Sequence, residues 1–334
     1  MVGSLEVTGS PTVPFSLSAA ADYAPPMPTR NTIGSIKHVA KVAVDRTQRR
    51  IEFREQLFRL ASKITPVIAV DVAGVRYFLS TADRDLSRAI FVHGYYEQPL
   101  MRRAVAAIAR LHGGLGLESR LFIDVGANIG TVTLSAICEF RARGGLALEP
   151  HPGNFELLRH NLLANDLLHR VAAVQAAASD RAATVALDVF PSHHGSHRVR
   201  TQGDVAWDRF GSGNTESVQA HTITLDAAIQ DNGISLDDVG LVWIDTEGHE
   251  GHVLAGAERL LHTDVPVLIE FWPEALRVAD GLDRLAVLVS QNYTHVLDLQ
   301  SDTLRPASAI HAIASEYDAK PFPWTDLLLL KVKA

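Results

Sequence analysis

The chain has 334 residues, of which 47% are hydrophobic and 21% are charged, and its formal net charge is -7 at pH 7. This length suits one large α/β domain with an extension, and the negative charge argues against a nucleic-acid partner. The sequence has no run of about 18 apolar residues and no signal-peptide pattern, so we expect a cytoplasmic protein without a transmembrane segment. Cys138 is the single cysteine, which excludes an intrachain disulfide, and we expect it to pack as a small core residue.

The N-terminal part of the chain has two sections of different character. Residues 1–35 are rich in Pro, Ser, Thr and Gly and show no sustained period, which predicts a disordered arm. Residues 36–64 carry apolar side chains at helical spacing among many basic ones. For this helix, a solvated face on a helix packed against the main domain is favoured over contact with an anionic membrane or a phosphorylated substrate.

A hairpin and a long helix complete the predicted extension. Two apolar stretches flank Ala73 and Gly74, which predicts the hairpin, and a helix runs from about Pro99 to His112. Tyr95, Tyr96 and Glu97 lie just before that helix, where packing at a domain seam is favoured over ligand contact. We assign residues 36–116 to this helical and hairpin extension, with a lid or a homodimer contact as its role, and residues 117–334 to the main domain.

The stretch LFIDVGANIG, residues 121–130, predicts a strand, a tight turn and the start of a helix. Gly126 and Gly130 allow close approach of a ligand, and the N–H groups of the following helix point at it. A dinucleotide fingerprint starting at Gly126 needs glycine at positions 128 and 131, where this chain has Asn128 and Thr131. An acid at Asp124, a tight turn and a helix N-terminus instead suit S-adenosylmethionine as the cofactor.

The next two strands end in further candidate cofactor residues. Glu149 ends the strand LALEP nineteen residues after Gly130, where a doubly wound sheet places the carboxylate that accepts hydrogen bonds from ribose hydroxyls. Residues 171–178 predict a third strand, and Ser179 and Asp180 at its end are candidates for contact with the adenine amino group. Ordinary turn chemistry is the alternative interpretation for Ser179 and Asp180.

A polar, His-rich stretch separates two later strands predicted at residues 184–190 and 218–225. It spans residues 191–217 and contains His193, His194 and His197. It has no cysteine and no helix-face spacing such as HExxH, so we expect no metal site. A long insertion at the ligand-binding edge of an open sheet predicts a substrate-selecting loop near residues 190–217.

A cluster of acids follows the strand that ends at Ile244. Asp245, Glu247, His249 and Glu250 come directly after it, and Glu270 ends the next strand at the same rim of the sheet. This number of titratable groups exceeds what helix capping requires. Two final strands, YTHVLDL and DLLLLKV, complete the sheet as an antiparallel pair at its edge.

Taken in order, DVGANIG, LEPHPGNFELLRHN, ASD, IDTEGHEGHVLAGAERLL and VLIEFWP resemble the FkbM family of S-adenosylmethionine-dependent methyltransferases. The resemblance covers roughly residues 67–334 and implies a Rossmann-like class I methyltransferase fold. Such a fold has a mixed seven-stranded sheet, the last strand antiparallel, with helices on both faces. The implied activity is O-methylation of a hydroxyl on a sugar, a glycolipid or a polyketide-type molecule. The implied cofactor residues are Asp124, Gly126, Ala127, Asn128, Gly130 and Glu149, and the implied acidic site consists of Asp245, Glu247, Glu250 and Glu270.

A base close to the acceptor hydroxyl is the main requirement of this chemistry. Asp245 is the first choice, His249 and Glu270 are the alternatives, and Glu247 orients the acceptor or holds the turn. Two other classes stay open from the sequence. A nucleotide-binding oxidoreductase would also have an acid at the position of Glu149. In a non-catalytic cofactor-binding module the acidic rim would only stabilise the structure.

Overall fold

The structure, a computed structural model, describes residues 48–112, 117–200 and 216–332. The chain divides into two compact units, residues 1–50 and 51–334. The predicted arm at residues 1–35 lies outside the described residues. Within them, none of the helices is long and apolar enough to cross a membrane.

The main sheet has eight strands in the order β13-β12-β14-β11-β10-β3-β4-β5. β3, β4, β5, β10 and β11 run parallel, while β14 is antiparallel to both of its neighbours, β11 and β12. The predicted antiparallel last strand is thus confirmed. β13 forms a hairpin with β12 and adds an edge strand to the seven expected. The strands are β3 Leu121–Val125, β4 Gly144–Leu148, β5 Val171–Val174, β10 Val239–Ile244, β11 Val267–Phe271, β12 His295–Asp298, β13 Thr303–Pro306 and β14 Thr325–Leu330.

Two hydrophobic cores lie on opposite faces of this sheet. The side chains of β3 alternate between them, with Ile123 and Val125 in one core and Phe122 in the other, as the pleat of a strand requires. Helices cover both faces, as expected for a sheet whose central strands are buried on both sides. They are α4 Thr131–Cys138, α5 Pro152–Ala164, α6 Leu225–Asp231, α7 Glu250–Ala255, α8 Glu258–Leu261, α9 Pro273–Val278, α10 Leu282–Asn292 and α11 Ile310–Asp318.

The N-terminal extension shares a core with the sheet. Its elements are α1 at 48–61, β1 Val67–Val72, β2 Val75–Ser80, α2 Leu86–His93 and α3 Gln98–Leu111. The predicted hairpin is confirmed, and Ala73 and Gly74 both have positive φ, as a tight hairpin turn requires. Tyr77 and Leu79 of β2 are buried in the same core as Phe122.

Asn161 on α5 and Asn165, the residue that follows α5, hold the outer edge of β2. The side-chain amide of Asn161 accepts from the backbone N–H of Phe78 and donates to its carbonyl, and Asn165 does the same with Arg76. Asn161 also donates to the backbone carbonyl of Ile129, beside the glycine turn, at 2.8 Å. The hairpin is therefore tied to the same helix that supports the turn.

A second, four-stranded sheet has the order β6-β9-β7-β8 and lies at residues 177–223. Its strands are β6 Ala177–Ala178, β7 Ala183–Val189, β8 Arg198–Val199 and β9 Glu216–Ile223. The prediction of one strand over residues 171–178 is wrong, because the chain leaves the main sheet after Val174 and then pairs with β9. Part of the predicted substrate loop, residues 201–215, lies outside the described residues.

The prediction that Cys138 packs in the core is wrong. It lies at the end of α4 and is exposed, although the helix before it is almost entirely buried. The helix ends there and the chain turns outward, so a position that the local apolar pattern assigns to the core faces solvent.

Candidate active site

The glycine turn after β3 is held closely against the neighbouring strand end. Gly126 has φ of +86°, and a β-carbon there would lie 1.8 Å from the backbone carbonyl oxygen of Asp245. A β-carbon at Gly130 would lie 2.6 Å from Leu158 Cδ1. The turn is also fixed by the N–H groups of Gly126 and Ala127, which both donate to the carbonyl of Leu148. Packing against backbone and a positive φ therefore both require glycine at position 126, whereas at position 130 the positive φ of +86° is the main restriction.

A cavity begins at this turn. Its wall includes Gly126, Glu149, Ala177, Leu187, Asp245 and His249. The apolar part of the wall suits an adenine ring, and the bare turn at Gly126 leaves room that a side chain would fill. The residues present therefore fit the adenosine part of S-adenosylmethionine, and we call this space the cofactor cavity.

Glu149 is the buried acid of the cofactor cavity. One carboxylate oxygen accepts from the N–H of Asn128 at 2.9 Å and the other from the N–H of His151 at 2.8 Å. Burial raises the pKa of Glu149 to about 7, although these two backbone donors oppose the shift. Each carboxylate oxygen has a further lone pair, so the group can still accept hydrogen bonds from a ligand.

Residues 194, 195 and 197–199 of the His-rich stretch line the cofactor cavity, and we call this segment the roof. The backbone carbonyl of His194 accepts from the side-chain amides of Asn128, at 2.9 Å, and Asn154, at 3.1 Å. His197 and Arg198 line the same cavity. Asn128, predicted to contact the cofactor, thus uses its side-chain nitrogen to hold the roof, and its N–H to bind Glu149.

A second, acidic cavity lies beside the first. Seven carboxylate side chains line it: Asp85, Glu97, Asp124, Asp245, Glu247, Glu270 and Asp326. Tyr96, Trp243 and Trp324 also contribute to its wall. Gly126, Asn128, Gly195 and Asp245 line both cavities, so Asp245 lies where the two spaces meet.

The carboxylates of the acidic cavity raise one another's pKa values. Burial raises the pKa of Asp245 well above its usual range, and the nearby Glu97, Glu247 and Glu250 raise it further. The pKa values of Glu97 and Glu247 are each raised to about 8, mainly by burial, and that of Glu270 is raised well above its usual range. Several of these groups therefore carry protons at neutral pH and can donate as well as accept hydrogen bonds.

Asp124 has a partly different environment. It is buried, and its carboxylate accepts a hydrogen bond from the hydroxyl of Thr133 on α4. Burial raises its pKa to about 7, while Thr133 lowers it. The acid is thus anchored on the helix that follows the turn and faces the acidic cavity.

His249 lies on the cofactor side of Asp245. It is buried, its Nε2 lies 2.9 Å from the hydroxyl oxygen of Ser179, and its ring stacks on His252 with centroids 4.4 Å apart. Burial, followed by the effect of His252, lowers the pKa of His249 to about 3. The imidazole is therefore neutral at physiological pH and holds the end of β6.

Ser179 and Asp180 make contacts of their own. Ser179 pairs with His249, and Asp180 forms ion pairs with Arg284 at 3.0 Å and Arg181 at 3.3 Å. At this point in the chain it is Ala176, Ala177 and Ala178 that line the cofactor cavity. The adenine-binding role of Ser179 and Asp180 stays a prediction.

Asp245, Glu247 and Glu270 form the tightest group in the acidic cavity. One carboxylate oxygen from each can be chosen so that all lie within 4.8 Å of one another, a spacing at which a metal ion or shared protons can relieve the repulsion. The turn that brings them together places Glu247 at φ of +55°. The expectation of no metal stays a prediction.

Three acids of this cavity are not predicted as site residues by the sequence. Asp85 precedes α2, Glu97 precedes α3, and Asp326 lies on the antiparallel strand β14. The only local signal was the cluster Tyr95, Tyr96 and Glu97, for which packing was favoured. Instead, Tyr96 and Glu97 line the acidic cavity.

The sheet has the strand order of a class I methyltransferase, with an antiparallel strand between β11 and β12 and a cavity beyond the first parallel strand. The chain belongs to the FkbM methyltransferase family, since the model of the methyltransferase FkbM domain matches residues 124–293. It is therefore an S-adenosylmethionine-dependent methyltransferase, which removes the oxidoreductase alternative.

Two methyltransferases are similar to this chain in sequence. The chain is 31% identical over 185 residues to the methyltransferase sdnD of Sordaria araneosa, covering 48% of this chain and 70% of the relative. It is 30% identical over 229 residues to the 31-O-demethyl-FK506 methyltransferase FkbM of Streptomyces tacrolimicus, covering 61% and 84%.

More distant similarities cover less of the other protein. The hexuronic acid methyltransferase AglP of Haloferax volcanii is 28% identical over 154 residues, covering 46% of this chain and 56% of that protein. The crystal structure of methyltransferase FkbM from Methylobacillus flagellatus aligns with a TM-score of 0.39 at 17% identity, covering 63% of this chain and 43% of that one.

Proposed function

We propose that this enzyme transfers a methyl group to a hydroxyl of a sugar, a glycolipid or a polyketide-type small molecule, with Asp245 as the general base. The observation that carries the proposal is the position of Asp245, a residue that lines both the cofactor cavity and the acidic cavity. A group at that junction can reach an acceptor oxygen held next to the methyl donor.

The cofactor residues have distinct tasks in this proposal. Glu149 accepts hydrogen bonds from the ribose, the turn at Gly126 and Ala127 lies against the cofactor, and Asp124 faces its amino acid end. When bound, S-adenosylmethionine supplies an electrophilic methyl group on a positively charged sulfur. Asn128 and Asn154 hold the roof at His194 over the cavity and so exclude water.

Asp245 acts on the acceptor. An alcohol is a weak nucleophile while it keeps its proton, and a positioned base that removes the proton commonly contributes about 100- to 10,000-fold to the rate. The raised pKa of Asp245 makes its ionised form a stronger base than an exposed aspartate. With S-adenosylmethionine bound, the methyl–sulfur bond would break as the acceptor oxygen takes the methyl group, S-adenosylhomocysteine would leave, and Asp245 would hold the proton of the acceptor hydroxyl.

The other acids orient the acceptor. Glu97, Glu247 and Glu270 present carboxyl groups that accept hydrogen bonds from hydroxyls and, when protonated, donate to ether or hydroxyl oxygens. A cavity with seven carboxylates repels an anionic acceptor, so the proposal favours an uncharged polyhydroxylated one. The name of the Streptomyces tacrolimicus relative, a 31-O-demethyl-FK506 methyltransferase, supports an oxygen as the methyl acceptor.

The test combines cofactor binding with a search for the product. The purified enzyme is incubated with isotopically labelled S-adenosylmethionine and a panel of glycosides, macrolides and cell extracts, and mass spectrometry finds the compound that gains a labelled methyl group. Product nuclear magnetic resonance then shows whether the methyl is on oxygen. If calorimetry shows cofactor binding but no hydroxylated compound is methylated, the chain is a non-catalytic cofactor-binding module.

A further inference from the structure

Two aromatic side chains stand at the mouth of the acidic cavity. Trp324 lines the cavity, yet 39% of its surface is exposed, whereas the buried Trp243 and Trp272 are 2% and 8% exposed. Phe322 is 65% exposed and meets Trp324 edge to face, with ring centroids 5.6 Å apart. A large apolar surface kept in water next to a polar cavity is typical of a binding surface.

One residue forms hydrogen bonds at both ends of the loop that carries Phe322 and Trp324. Asp298, at the end of β12, accepts from the hydroxyl of Tyr317 on α11 and from that of Thr325 at the start of β14, each at 2.7 Å. Pro321 and Pro323 flank Phe322 and restrict the backbone between these anchors. The aromatic pair is therefore presented in a fixed position, which reduces the entropy lost when a ligand binds.

The pair is continuous with the acidic site. Trp324 and Asp326 are two residues apart, and both line the acidic cavity. Carboxyl groups recognise hydroxyls, while an aromatic face stacks on the C–H face of a saturated ring or on another aromatic ring. A molecule spanning this boundary has hydroxyls on one ring and an apolar ring face beside it.

We propose that Phe322 and Trp324 form an acceptor subsite that binds the ring adjoining the one that is methylated. The subsite takes the apolar C–H face of a saturated ring, whether a second sugar or a carbocycle, and selects acceptors with at least two linked rings. This inference rests on the proposed function, because it assigns the acidic cavity to the acceptor.

The test measures binding rather than turnover, with the enzyme saturated with S-adenosylhomocysteine. Three probes are titrated by calorimetry or saturation-transfer nuclear magnetic resonance: methyl β-glucoside, methyl β-cellobioside and cyclohexyl β-glucoside. We expect one or both of the two-ring probes to bind about three- to tenfold more tightly than methyl β-glucoside. The tighter of the two identifies the neighbouring ring as a sugar or a carbocycle.

Matched variants decide the role of the pair. Trp324→Ala should remove the preference for two rings, Trp324→Phe should keep part of the preference, and Phe322→Ala should reduce it. Tyr95→Ala removes another exposed aromatic side chain and should have no effect. Melting temperatures should stay near the wild-type value, since Phe322 is 65% exposed and Trp324 lies at the surface with 39% of it exposed.

Three results would overturn the proposal. The first is an equal affinity for one-ring and two-ring probes in the wild type, including no binding of any probe. The second is a two-ring preference that survives in Trp324→Ala. The third is a change of oligomeric state in Trp324→Ala by light scattering, which would make the pair a contact between protein molecules. Binding without methylation would count against the proposed function alone.

Discussion

The backbone carbonyl oxygen of Asp245 occupies the space that a β-carbon on Gly126 would need, with 1.8 Å between the two positions. The N–H of Asp245 also donates to the carbonyl of Val125 at 2.9 Å, so a hydrogen bond joins the ends of β3 and β10 next to this contact. The turn predicted to hold the cofactor and the residue proposed as the base are thus fixed to each other through the backbone.

Gly126→Ala should weaken binding of S-adenosylhomocysteine by at least about tenfold, because the added carbon forces the turn away from β10. Calorimetry on folded protein measures this. Gly74→Ala is a matched control, since Gly74 has φ of +84° but no atom within 4 Å of the added carbon. It should lower stability slightly and leave cofactor binding unchanged. Equal cofactor affinity in both variants would show that the close contact is unimportant for the cofactor.

Asp245→Asn should lower kcat by at least about 100-fold with little change in cofactor affinity, because the amide keeps the shape but cannot take a proton. His249→Ala should mainly weaken cofactor binding, since it lines the cofactor cavity and holds Ser179. Single-turnover kinetics and calorimetry separate the two effects. Near-normal turnover in Asp245→Asn with none in His249→Ala would make the histidine the base.

The rate should increase with rising pH. Asp245 must be ionised to act as a base, and its pKa is raised, so kcat/KM grows as pH rises through that value and is lost at lower pH. Glu97 is the first of the neighbouring charges that raise this pKa, after burial. Glu97→Gln should therefore move the midpoint of the pH–rate profile to lower pH. A midpoint that does not move, or moves upward, would argue against Asp245 as the titrating base.

Asn128→Ala should accelerate release of S-adenosylhomocysteine by about two- to tenfold, because it removes one of the two amide donors that hold the roof at His194. Asn154→Ala removes the other donor and should act in the same direction. Stopped-flow displacement gives the dissociation rates. Asn165→Ala, which affects only contacts with β2 and α5, serves as the control. Unchanged release in both roof variants would show that the roof does not retain the cofactor.

The sequence predicted the parts of the site that follow parallel strands. Gly126, Glu149, Asp245 and Glu270 each come directly after or at the end of an apolar run, and parallel strands bring such positions to one rim. Glu97 and Asp326 have no such signal. They reach the same cavity because β14 inserts next to β11 and because α3 packs over the sheet, and both facts depend on contacts distant in sequence.

The hydrogen bonds between polar side chains of the candidate site are the feature that the sequence predicts least well. Ser179 could be placed at a strand end, but its pairing with His249 depends on where a separate helix begins. Asn128 was correctly assigned to the turn, whereas its bond to the roof needs a loop that is 66 residues away in sequence. The structural roles of these polar groups are set by tertiary contacts that local patterns do not encode.

Asn161 and Asn165, at the C-terminal end of α5, limit how the hairpin can pair with other protein molecules. Positions four apart on a helix are separated by about 6 Å, close to the spacing of about 6.6 Å between alternate residues of a strand. Asn161 and Asn165 therefore substitute for a neighbouring strand along β2. A strand edge satisfied in this way cannot template a sheet with another molecule unless both amides are displaced, so α5 protects the hairpin from aggregation on that side.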